Sequence, residues 1–133
     1  MNDEIDDAVL QRLAKAEVDR TSVEILSAHP RRPIPAICFH CQQYVEKLLK
    51  ALLTRHRIET PRSHDLRRLI QLARALAPAL ENLADRADAL SFHGVEIRYP
   101  DDWRDVPEAE MKEMLALTNE FAAIILPLLK GKS

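Results

Sequence analysis

The stretch from Phe39 to Leu69, FHCQQYVEKLLKALLTRHRIETPRSHDLRRL, constrains the fold more than any other part of the chain. It fits a helix, a short polar turn and a second helix. In the first helix Cys41, Tyr44, Leu48, Ala51 and Leu52 share one face. Gln43, Lys47 and Lys50 recur at spacings of four and three and share another. The apolar face asks for partner helices. The ordered polar row is more than a plain bundle helix needs, so function is expected near that face and the turn behind it.

Composition agrees with an all-α reading. The chain has only two glycines in 133 residues, and Leu, Ala, Glu, Lys and Arg dominate. β-Branched residues do not cluster, which argues against a sheet. This length suits a single domain spanning residues 1–133 with a substantial apolar core. The formal net charge of −2 excludes a global basic field for nucleic acid. Charge is uneven, however: Arg55, Arg57, Arg62, Arg67, Arg68 and Arg74 crowd into one region, as a solvated face or as an anion-binding surface. No apolar run approaches the roughly 18 residues of a membrane span. The acidic start MNDEIDDAV lacks a signal-peptide pattern, so the expected compartment is the cytoplasm.

Proline punctuates the rest. A first helix, capped by Asn2 or Asp3, runs to about Ala28 with Ile5, Val9, Leu13, Ala16 and Ile25 among its apolar positions. His29-Pro30-Arg31-Arg32-Pro33-Ile34-Pro35 breaks it. Pro33 or Pro35 then opens the second helix, which extends to about His56. Ser63 is the expected N-cap of the third. Leu66, Leu69, Ile70 and Ala73 form its stripe, and Leu80, Leu83, Ala87 and Leu90 continue it beyond a break at Pro78. An irregular stretch from His93 to Arg104 follows. Asp105 and Glu108 have capping-box spacing at the start of the last helix, whose stripe is Met111, Leu115, Thr118, Ala122, Ile125 and Leu129; Pro127 should kink or end it. Short connections imply an up-and-down antiparallel bundle of four to five helices.

Several constellations bear on chemistry. Cys38 and Cys41 have the spacing of a redox or metal pair, but a zinc site needs four ligands and no second pair exists, so they are read as packing residues. Glu46 and Lys50 fit a surface ion pair, and with Gln43 and Lys47 they fit a polar groove for a phosphate or for a partner's carboxylates. His64 and Asp65 stand where the first turn of a helix offers free N–H groups, suited to capping or to phosphate. Arg98-Tyr99-Pro100-Asp101 lies in the irregular stretch, where Arg98 suits an oxyanion; Trp103 is a packing anchor. No metal site, cofactor motif, Gly-rich phosphate loop or nucleophilic triad is visible.

Three ordered blocks, FHCQQYVEKLLKALL, SHDL and RYPD, resemble the HEPN family over nearly the whole chain. The resemblance implies a five-helix bundle like the substrate-binding subunits of nucleotidyltransferases. It also implies a homodimer, and a minimal nucleotidyltransferase as partner in a toxin–antitoxin-like pair. On that basis Gln43, Lys47, Lys50, His64, Asp65, Arg98 and Tyr99 are expected to contact a nucleotide or the partner. Other members are metal-independent ribonucleases in which four to six residues separate an arginine from a following histidine, with a polar residue right after the arginine. Arg57/His64 and Arg86/His93 have that spacing here, but Ile58 and Ala87 follow the arginines. A non-catalytic binding module is therefore the first expectation. The second is an endoribonuclease toxin acting on RNA, with His64 or His93 as acid–base and Arg98 or Arg57 stabilising the transition state. The third is a structural dimerisation or adaptor module.

Overall fold

The computed structural model describes residues 7–94 and 105–130. Five α-helices occur among them: α1 (Asp7–Ala28), α2 (Ile34–Arg55), α3 (Leu66–Leu72), α4 (Ala84–Phe92) and α5 (Glu108–Leu129). A 3-10 helix, Pro78–Leu83, leads into α4, and no strand is present among the described residues. The helix expected to run to Pro78 ends earlier, at Leu72, and Pro78 opens the 3-10 helix. The caps expected at Asn2 or Asp3, the position Ile5, and the residues Arg98, Tyr99 and Trp103 lie outside the described residues.

The centre of the bundle is α2. It packs against α1, α3, α4 and α5, and 12 of its 22 residues are buried, too many for one amphipathic face. Leu48, Leu49, Leu52 and Leu53 are all fully buried, so neighbours must surround the helix. Each such leucine contributes roughly 1.5–3 kcal/mol by leaving water. From α5, Met111, Met114, Leu117, Phe121, Ile125 and Leu129 close the core on one side. Leu66, Leu69, Ile70, Leu80, Leu83, Ala87 and Leu90 close it on another.

Local chemistry sets the helix ends. Pro35 occupies the first turn of α2, where its missing N–H is not needed. At the other end the Arg57 N–H donates to the Thr54 carbonyl, and the Ile58 N–H to the Leu53 carbonyl at 2.9 Å. That is a Schellman stop, with Arg57 at φ 58° in the left-handed position that glycine usually takes. The N-cap of α3 is Asp65 rather than Ser63: its carboxylate accepts the Arg67 N–H at 3.0 Å, while the Ser63 hydroxyl accepts the Asp65 N–H at 3.1 Å. Two residues separate cap from start in the sequence reading because both side chains cap, one turn-forming and one helix-forming. The capping box at Asp105 does not form either. Pro107 is the N-cap of α5 and makes no side-chain cap bond, and Glu108 instead reaches Arg32 at 2.8 Å. Pro127 does not stop α5 at once, since the helix runs on to Leu129. Proline there lacks the N–H that would bond the Ala123 carbonyl, a loss confined to the last turns of the helix.

One expected core position is outside. Ile25 is 64% exposed on α1, with Leu10 at 50% and Val18 at 65%. The buried positions of α1 are Val9, Ala16 and Asp19.

Candidate functional site

The polar row of α2 is mostly turned inward. Two buried carboxylates organise it, and each is shared by one lysine and one histidine. Asp19 of α1 accepts from Lys47 Nζ at 2.6 Å and from His40 Nδ1 at 2.8 Å. Glu46 accepts from Lys50 Nζ at 2.9 Å, from Gln42 Nε2 at 3.0 Å and from His64 Nδ1 at 3.0 Å. An ionised carboxylate only accepts, so each imidazole presents Nδ1–H to it. Glu46 and Lys50 therefore form an enclosed pair, with side chains 8% and 14% exposed, rather than the surface pair that their spacing alone suggests.

Glu46 is the point where two of the sequence blocks meet. Gln42 is fully buried; besides Glu46, its Nε2 donates to the His64 carbonyl at 3.3 Å, and its Oε1 accepts from Gln43 at 2.8 Å. Gly94 lies against this amide: a Cβ there would stand 2.5 Å from Gln42 Cδ, so a side chain would have to displace a buried, fully bonded group. Burial pushes the Glu46 carboxyl up, but the hydrogen bonds from Gln42, Lys50 and His64, with the Lys50 charge, outweigh it and hold the group below its ordinary value.

The named site residues are thus unequally available. Gln43, Lys47 and Lys50 are half-buried on one side of α2. The His64 side chain is 67% exposed despite its bond to Glu46. Asp65 is occupied as the α3 cap. His93 is buried, and its Nε2 pairs with Glu110 at 2.8 Å. Arg86, its partner in the spacing reading, holds Glu120 with both terminal nitrogens at 2.7 and 2.8 Å. Arg57 serves the helix stop. The arginine-rich region is partly neutralised, because Arg67 bonds Asp85 and Asp88. Arg98 and Tyr99 fall outside the described residues.

Between α1 and α2 an open groove of about 380 Å³ gathers Arg12 and Lys15 from α1 with Glu46, Lys47 and Lys50 from α2. Arg12 also reaches Thr60 Oγ1 at 3.3 Å, which ties the α2–α3 connection to the groove. Sequence reading missed Arg12, Lys15, Asp19, His40 and Gln42. A signal existed for Asp19: it follows Val9 and Ala16 on the apolar stripe of α1, and a carboxylate there needs a buried partner. Among the described residues no three His, Cys, Asp or Glu side chains are grouped to share a metal ion, and no helix is long and apolar enough to cross a membrane.

Cys38 and Cys41 form no disulfide and are fully buried. Burial pushes the Cys41 thiol up, opposed in part by the Thr118 hydroxyl. In the native protein neither thiol should react with an aromatic disulfide reagent on a timescale that titrates both in denaturant; rapid native labelling would mean that the core around α2 opens.

The HEPN domain family model matches residues 9–128, which include all five helices but for the extreme ends of α1 and α5. No curated protein and no solved structure matches the chain. The match runs through the Gln42–Glu46–His64 centre and the groove beside it, and the chain belongs to the HEPN domain family.

Proposed function

We propose that this HEPN domain is a non-catalytic binding module, acting in the cytoplasm as the helical half of a toxin–antitoxin-like pair. Its protein partner is a minimal nucleotidyltransferase, its own assembly is a homodimer, and a nucleotide phosphate binds along the polar side of α2. The observation that carries the phosphate reading is the α1–α2 groove, where Arg12, Lys15, Lys47 and Lys50 converge on one open space. Lysine and arginine hold oxyanions through charge-assisted hydrogen bonds. His64, largely exposed, and Gln43 stand at the edges of the same polar surface. Arg98 and Tyr99 belong to the site on the strength of the family pattern alone.

The ribonuclease reading draws less support. Arg86 is held by Glu120, and His93 is buried against Glu110. A histidine that transfers a proton must reach its substrate, directly or through one water.

The test mixes the purified chain with a purified minimal nucleotidyltransferase. The expected result is one co-eluting complex on size exclusion, and saturable nucleotide binding by the chain. Charge reversal at Lys47 would set a second carboxylate against Asp19 and confuse folding with binding. Lys47→Gln keeps an N–H donor for Asp19 while removing the charge. It should weaken nucleotide binding by about tenfold, the value of one charge-assisted contact, with helix content unchanged. Unaltered affinity in that variant would remove Lys47 from the site.

A further inference from the structure

We infer that the α1–α2 groove holds two consecutive phosphoryl groups of one ligand, with Arg12 and Lys15 supplying the uncompensated charge. This rests on the reading of the domain as a phosphate-binding module and specifies the ligand that module takes.

Lys47 is paired with buried Asp19, and Lys50 with buried Glu46. The charges of those lysines are partly offset within the fold. Among the described residues, Arg12 and Lys15 have no carboxylate at ion-pair distance, and the one bond given to Arg12 goes to the neutral Thr60 hydroxyl. The surplus positive charge of the groove therefore comes from α1, which the polar row of α2 does not disclose.

Asp19 touches both His40 and Lys47, so it lies level with the middle of that span. The two helices are antiparallel, and each advances about 1.5 Å per residue. Moving back along α1 from Asp19 then brings Lys15 level with Lys47, and Arg12 level with Lys50. Thr60, in the connection beyond the end of α2, also touches Arg12. The groove thus has two cationic rungs, each with one residue from either helix. Residues three apart on a helix put these rungs roughly 4.5 Å from each other along the axis. That separation suits neighbouring phosphoryl groups on one chain and leaves a single orthophosphate with only one rung. The shared chemistry is a pair of neighbouring phosphates on one chain, joined by an oxygen in a nucleoside polyphosphate and separated by a sugar in an RNA backbone.

The experiment is calorimetric titration of the full chain, at low ionic strength, with inorganic triphosphate and with orthophosphate. Triphosphate should bind at least about tenfold more tightly, since the second rung adds one or more charge-assisted contacts. Arg12→Gln with Lys15→Gln should lose about 100-fold in triphosphate affinity, while Lys112→Gln on α5 should lose none. Lys15 is exposed and Arg12 half-buried, neither of them in the apolar core, and circular dichroism checks the fold. Equal affinity for the two anions, or undiminished binding by the double variant, would overturn the inference. Competition by an oligoribonucleotide without a terminal phosphate would assign the ligand to a nucleic-acid backbone. Failure to compete, alongside triphosphate binding, would assign it to a free polyphosphate; either outcome supports two phosphoryl positions. If triphosphate fails to bind while the nucleotidyltransferase complex still forms, this inference falls and the partner reading stands.

Discussion

Glu46→Ala should destabilise the domain by roughly 3–5 kcal/mol, the cost of breaking a buried ion pair from one side. The substitution strips a partner from Lys50, whose side chain is only 14% exposed, and from Gln42, which is fully buried. His64 can turn to water and adds little. Domains of this kind have about 5–15 kcal/mol in total, so the loss is a large share. Urea unfolding at neutral pH checks it. Glu46→Gln preserves a hydrogen-bonding amide and should cost less.

The same residue sets a pH dependence. The folded carboxyl lies below its ordinary value of 4.5. Its stabilising contribution is therefore complete above that value and is lost as the pH falls through the lower, folded one. Between about pH 5 and pH 3 the wild type should lose more stability than Glu46→Gln, which has no proton to take up. Parallel pH profiles for the two proteins would show that Glu46 is not the group responsible.

Phe121→Ala should be comparably damaging, at about 3–5 kcal/mol. The ring is fully buried on the face of α5 that packs against α2. Its removal leaves a cavity that rigid helices fill poorly. Phe92→Ala provides the contrast: that ring is 64% exposed, and its loss should stay within about 0.5 kcal/mol. Thermal or denaturant unfolding of both variants reads the difference. Similar effects from both would mean that Phe92 is covered in the folded protein.

Much of this architecture was legible because helix periodicity, proline placement and end signals agree with one another. Leu66, Leu69, Ile70, Leu80, Leu83, Ala87 and Leu90 are buried as their spacing requires. Ile25 misled because α1 buries a narrow strip, and periodicity alone does not say how wide a strip the neighbours cover. The caps at Ser63 and Asp105 misled because capping residues are interchangeable locally, and the choice depends on where the chain leaves the helix. The site was legible in part. Lys47 and Lys50 share a side of α2 as their spacing states. What no spacing reveals is that Asp19, 28 residues before Lys47, neutralises it. Nor does spacing show that Glu46 joins Gln42 to His64 across the α2–α3 connection. Such pairings are set by helix packing, so Arg12 and Lys15 become visible only when α1 lies against α2.

The most direct measurement of the central claim is a metal-free RNA cleavage assay with the folded, purified chain beside its His64→Ala and His93→Ala variants. A binding module leaves the RNA intact in all three reactions, and triphosphate binding persists in the wild type. Cleavage by the wild type that disappears in either histidine variant would contradict the account and make the chain a ribonuclease.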